Sequence, residues 1–229
     1  MFNAFLTVLS LGALSLCLGR NAWAQQPVGT ITQLQGTAQV QRTGDTLSGA
    51  LTMLIEFHDQ VRTAANSTVT ITLVGNELLP EVCSGQQGEG CLLLSPSSTL
   101  VLDQAALASM VRLLTGSVRS GVAKQRATKK DFFIQTANAL VRTFGTDFDV
   151  TYIAGVVRPG YGGCQRYTDV AVREGVVAVN NLANPGAVIE VPAGYETIVA
   201  CLQPPITPIR PANVLPPAIC VRKQLSALQ

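Results

Sequence analysis

The chain has 229 residues, 47% of them hydrophobic and only 13% charged, with 16 Lys+Arg against 14 Asp+Glu and a single His. A chain this apolar folds rather than staying disordered, and a net charge of +2 supplies no basic footprint for nucleic acid, which is excluded as a partner. One imidazole, His58, rules out a multi-histidine metal centre and leaves a single place where a Ser-His-Asp triad is conceivable, so no catalytic residue, no metal and no cofactor is expected.

Ala4 to Leu18 is an apolar run broken only by Thr, Ser and Gly, and it leads through Arg20 to the small-x-small triplet Ala22-Trp23-Ala24. This is the pattern of a secretory signal peptide over residues 1–24. The run is short for a membrane core of ~30 Å, although the missing basic residues before Leu6 keep an uncleaved anchor as the alternative. Leu16 is too bulky before Cys17 for lipoprotein processing. No later stretch reaches the ~18 consecutive apolar residues of a transmembrane helix. The protein is therefore expected to be exported, to the periplasm or the cell surface. Cys83, Cys91, Cys164, Cys201 and Cys220 remain after cleavage, and export favours disulfides among them.

From residue 28 onward the pattern has period two. Strands are expected at 28–34 and 37–42, and then at Thr68 to Leu73, where apolar residues alternate with threonines. Cys83 and Cys91 bracket a Gly-rich polar loop and suit a local cross-link. Strands follow at 91–94 and 98–102. Gln104 to Leu114, with Asp103 before it and Gly116 after it, is the one segment that passes for a helix. Strands resume at 117–122, 131–136, 138–143 and Thr146 to Tyr152. Val170 to Val179, turning at Glu174-Gly175, reads as a hairpin, and strands at 187–191 and 195–202 close the series. Cys164 pairs with Cys201 on this reading, with Cys201 and Cys220 as the competing pair; a four-cysteine zinc site lacks any C-x-x-C spacing. Gly36, Gly116 and Gly175 each open a strand directly after a turn, a loose internal repeat. Residues 25–202 are thus expected to form one all-β domain of many short strands, stacked as a β-solenoid-like or sandwich-like unit. Prolines crowd residues 203–229, which read as an extended tail.

Three polar groupings invite a functional reading. His58 and Asp59 are neighbours, but adjacent strand residues face opposite ways, which is poor geometry for a base and its orienting acid. Asp147 and Asp149 share a strand face and would suit Ca²⁺ or paired-carboxylate chemistry, yet their alternation is also that of a solvated face. Lys124, Arg126, Lys129 and Lys130 form a basic loop that would meet an anionic glycan or lipid head group, against the simpler reading of a solvated turn.

The segment from Asp131 to Val150 resembles the signature of the FecR family, the envelope-side domain of sigma-factor regulators, through Thr136, Ala139, Gly145, Thr146, Phe148 and Val150. Ala137 stands where that signature has Pro, and Phe144 where it has Arg. Gly36 to Val40 is similar to the family's opening strand. Asp59 to Thr63 is similar to its Gly-Asp-x-Val-x-Thr element, and Gly175 to Val179 with Ala193-Gly194 to its closing elements. The resemblance covers residues 28–202 and implies a stand-alone exported FecR-like module without the family's membrane helix and cytoplasmic segment. Its expected role is non-catalytic: sensing, signalling or binding, with an envelope protein or a wall or surface polymer as partner. A structural scaffold of the envelope that binds wall glycans is the alternative.

Overall fold

The computed structural model describes residues 27–75, 83, 87–88, 90–105, 108–123, 131–143 and 145–211. Residues 1–24, read above as a signal peptide, the segment with Lys124, Arg126, Lys129 and Lys130, Phe144 and Cys220 lie outside them. Sixteen strands follow in chain order: β1 (Pro27–Gln35), β2 (Ala38–Arg42), β3 (Asp45–Ser48), β4 (Leu54–Glu56), β5 (Gln60–Thr63), β6 (Thr68–Leu73), β7 (Gly90–Leu94), β8 (Thr99–Ala105), β9 (Ala108–Val122), β10 (Phe132–Gln135), β11 (Ala139–Thr143), β12 (Asp147–Ala154), β13 (Arg166–Glu174), β14 (Val176–Asn181), β15 (Asn184–Pro192) and β16 (Glu196–Ala200). The fold is all-β. Among the described residues no helix is long and apolar enough to cross a membrane.

The strands form two layers that share β9. The first layer runs β4-β1-β6-β7-β9-β12-β13-β16 and the second β3-β2-β5-β8-β9-β10-β11-β14-β15. Apart from the first two strands of each layer, β4-β1 and β3-β2, spatial order tracks chain order, so the molecule grows along one axis as a stack while its cross-section is a sandwich. Only β9 and β10 pair in parallel among the described strands. Period-two sequence fills the space between layers, because alternate residues of every strand point inward. Ile31, Ile71, Leu92, Val118, Val150 and Val170 from the first layer meet Val40, Val61, Leu100, Leu113, Ile134 and Val179 from the second in one buried cluster.

Two expectations are corrected. Gln104 to Leu114 is not helical: it belongs to β8 and β9, with Val111 and Leu113 buried between layers while Met110, Arg112 and Leu114 face outward. Pairing with strands on both sides of β9 outweighs the helix preference of its alanines. Val170 to Val179 is not a hairpin. β13 pairs with β12 and β16 in the first layer, β14 with β11 and β15 in the second, and the chain changes layer at Gly175. The alternating pattern marks two strands correctly but carries no information on whether they pair. β3, β4 and β5, absent from the expected series, are short, and β3 is exposed throughout. β3 follows β2 through Thr43-Gly44, both with positive φ, the two-residue hairpin geometry that favours glycine.

The described part of the proline-rich stretch lies along the open edge of β16. Ile206 donates its N–H to the Ile198 carbonyl at 3.0 Å, Ile209 and Glu196 exchange two backbone bonds of 2.9 Å each, and Thr197 Oγ1 donates to the Ile206 carbonyl at 2.7 Å. Disulfides join Cys83 to Cys91 and Cys164 to Cys201. The second links the Gly-rich turn after β12 to the end of β16.

Candidate functional site

Of the residues that carried the sequence resemblance, Gly36, Asp59, Thr63, Gly145, Thr146 and Gly175 lie at corners where the chain passes between layers, whereas Thr136 and Ala139 flank the β10–β11 turn of the second layer and Phe148 and Val150 lie within β12. Gly36 and Gly116 illustrate why. Both have φ near +80°, and a Cβ on either would lie 2.3 Å from a serine Oγ, that of Ser67 or Ser98. The same hydroxyls accept the next backbone N–H, from Thr37 at 2.8 Å and from Ser117 at 2.9 Å. One device, a glycine turned against a serine of the adjoining corner, thus recurs twice along the stack. Gly175 sits likewise against Thr146, and Gly145 precedes that threonine with φ 120°.

Asp59 is 1% exposed. Its Oδ1 accepts from Arg42 Nε at 2.9 Å and its Oδ2 from Arg42 Nη2 at 2.6 Å and the Glu56 N–H at 2.8 Å, so it holds the β4–β5 corner. The hydrogen bond from Asp59 raises the Arg42 pKa above the ordinary guanidinium value against the opposing effect of burial. Thr63 Oγ1 donates to the Ser95 carbonyl at 2.7 Å and accepts from the Ser98 N–H at 3.0 Å, fastening the next corner. Thr136 Oγ1 lies 2.6 Å from Thr168 Oγ1, accepts the Ala139 N–H at 3.0 Å, and is linked through Asn138 to the Val199 carbonyl at 2.9 Å. Phe148 and Val150 are fully buried. These side chains are turned toward the protein and do not converge on a ligand.

His58 and Asp59 do not form a pair. His58 is largely exposed with Nδ1 3.5 Å from Asp103, whereas Asp59 is bound to Arg42. Asp147 receives two bonds from Arg119, at 2.9 and 2.6 Å, and Asp149 receives one from Arg173 at 2.7 Å. Asp147 is therefore held by a guanidinium fork, and Asp149 is paired with Arg173 through one charge-assisted bond. Among the described residues no three acidic, Cys or His side chains gather as a metal site. Arg158 similarly grips Asp169 at 2.7 and 2.6 Å and stacks over Tyr167, 4.6 Å from the ring centre. Hydrogen bonding to their aspartates raises Arg119 and Arg158 as well.

Each layer carries a solvent-open groove on its outer face, the larger of the two on the second layer. Ser48, Gln39, Arg62, Thr99 and Thr115 are successive ladder partners across β3, β2, β5, β8 and β9. Together with corner residues Thr37, Ala64, Ala65 and Ser97 they line a groove of about 770 Å³. A smaller groove of about 260 Å³ on the first layer is lined by Asp149, Thr151, Asp169 and Glu196. Sequence reasoning missed the larger groove because its members come from five strands that are not all consecutive. It also missed Asn138, Thr168 and Asn181, whose only signal was a polar residue on an otherwise apolar face.

No protein-family model matches the sequence, and no curated protein matches it. Two crystal structures, at 1.65 and 2.50 Å, of a protein from Parabacteroides distasonis described as a candidate anti-sigma factor are similar to this chain, each with 17% sequence identity and a TM-score of 0.45. The match covers 66% of this chain and 59% of that one, so the chain spans less than two thirds of that protein's length.

Proposed function

We propose that the chain is an exported, non-catalytic FecR-like module of the cell envelope that senses or binds a partner and belongs to a signalling or regulatory system. The observation that carries this reading is the placement of its motif: Gly36, Asp59, Thr63, Gly145, Thr146 and Gly175 sit at or beside inter-layer corners, and Thr136 at the turn between β10 and β11 of the second layer. The resemblance is thus one of architecture, in which conformationally demanding positions recur in order. Two disulfides fit an oxidising compartment. Asp147 and Asp149, the best candidates for acid chemistry, are occupied by Arg119 and Arg173.

Affinity purification of the full chain from envelope extract tests the reading. Recovery of one receptor or membrane protein in a defined ratio is expected. Recovery of wall polymer or of further copies alone would favour the scaffold alternative, and polymer turnover abolished by Asp149→Ala would refute a non-catalytic role. N-terminal sequencing of the exported protein is expected to begin at Gln25.

A further inference from the structure

The groove on the second layer has a chemistry that differs from the rest of the surface. Its five-rung row crosses the strands at right angles. With neighbouring strands about 4.8 Å apart, the row is about 19 Å long. Arg62 is its one charged side chain. Arg42, Arg112, Arg119, Arg142, Arg158 and Arg173 each face a carboxylate. Arg62 is exposed, and, like Arg166 at the start of β13, it has no described carboxylate within ion-pair distance. Gln39, Ser48 and Thr115 are also exposed, and they offer both donors and acceptors. Neither an aromatic ring nor a large apolar side chain lines the groove.

These features discriminate among elongated ligands. A peptide adding as a strand needs an open sheet edge, whereas this row crosses the face of paired strands. An amphipathic helix needs an apolar groove. A nucleic acid needs several cations and stacking rings. A polyhydroxylated chain bearing carboxylates needs what is present: exposed hydroxyl and amide partners on the rungs either side of a guanidinium fork for one acid group, with the Thr99 rung buried between Arg62 and Thr115. The rung spacing is also close to the length of one pyranose.

We propose that this groove binds an acidic saccharide chain laid across the strands, Arg62 clasping one sugar carboxylate and Gln39, Ser48 and Thr115 hydrogen-bonding to hydroxyl groups. This goes beyond the sensing role proposed above and stands or falls separately from it, because recovery of a protein partner is unaffected by loss of saccharide binding.

The test is calorimetric titration of the full exported chain with a galacturonate tetrasaccharide and, in parallel, a neutral glucose tetrasaccharide. Saturable binding of the acidic chain alone is expected. Arg62→Ala is expected to weaken it about tenfold or more, the scale of a lost charge-assisted hydrogen bond. Arg62→Lys, which keeps the charge but not the fork, recovers only part. Gln39→Ala costs a few-fold, and Arg166→Ala, removing an exposed arginine at the start of β13, leaves affinity unchanged. Because Arg62 has no described partner, its variants retain the fold, checked by an unchanged near-ultraviolet circular dichroism spectrum. The proposal is overturned by absent saturable binding, equal binding of the neutral chain, indifference to Arg62→Ala, equal loss with Arg166→Ala, or tighter binding of polyglutamate or single-stranded DNA.

Discussion

The outer faces of the two layers are built from the same alternating strands but use their polar residues differently. On the first layer, charges are matched: Arg119 holds Asp147, Arg173 holds Asp149 and Arg158 holds Asp169. On the early strands of the second layer, hydroxyl and amide groups surround Arg62, a guanidinium without a described counter-charge. Paired charges on neighbouring strands lock register and leave little binding capacity. Unpaired polar groups contribute little to stability and remain available. A single period-two pattern therefore serves for support where charges pair, across the first layer and at Arg112–Asp103 and Arg142–Asp131 of the second, and for contact along the row that holds Arg62.

The comparison breaks most severely at the corners that hold both faces in place. Gly116→Ala places a Cβ within 2.6 Å of Ser98 Cα at φ +83°, and a loss of about 4 kcal/mol in denaturant unfolding is expected, as strain and overpacking combine. Serial removal of the disulfides is expected to cost about 4 kcal/mol for Cys164–Cys201 and about 2.5 kcal/mol for Cys83–Cys91, since the closed segments span 37 and 8 residues. Equal losses in the two melts would contradict that ordering. Asp147→Ala leaves Arg119, which is half-buried, without its fork, and about 1–2 kcal/mol is expected after allowance for solvent screening. Arg62→Ala, by contrast, is expected to change stability by no more than about 0.5 kcal/mol. A larger loss at Arg62 than at Asp147 would erase the distinction between the two faces.

The smallest effect concerns pH. Arg42, Arg119 and Arg158 are raised in the folded state by their aspartates. A raised group contributes stability fully below its unfolded value and loses it only as pH climbs through the higher folded value. For arginines that window lies far into alkali, so these pairs predict no loss of melting temperature between neutrality and pH about 10. A decline over that interval would implicate other groups.

Much of the strand pattern was readable because inward and outward positions alternate so regularly. Thr68 to Leu73 and Asp147 to Tyr152 are cases where Thr or Asp separates each apolar residue. The segment around Gln104 misled because alanines mask alternation and carry helix preference. β3 was hidden by its brevity and exposure, and β4 by its brevity, three residues with only Ile55 buried. Of the candidate site residues, Gly36, Gly145 and Gly175 were legible as backbone-determined positions, since only glycine meets the conformational demand cheaply. The roles of Asp59 and Asp147 were not, because Arg42 and Arg119 reach them from 17 and 28 residues away in sequence.

The sequence by itself determined the all-β class, the positions of most strands and the turns that need glycine, because these depend on side-chain alternation and local backbone sterics. Only the tertiary structure decided which strands pair, that Gly175 divides two layers instead of closing a hairpin, and which carboxylates are bound by arginines. It also decided that Ser48, Gln39, Arg62, Thr99 and Thr115 form one row. Pairing and charge matching depend on register between distant segments, and register is a property of the packed stack rather than of any one strand.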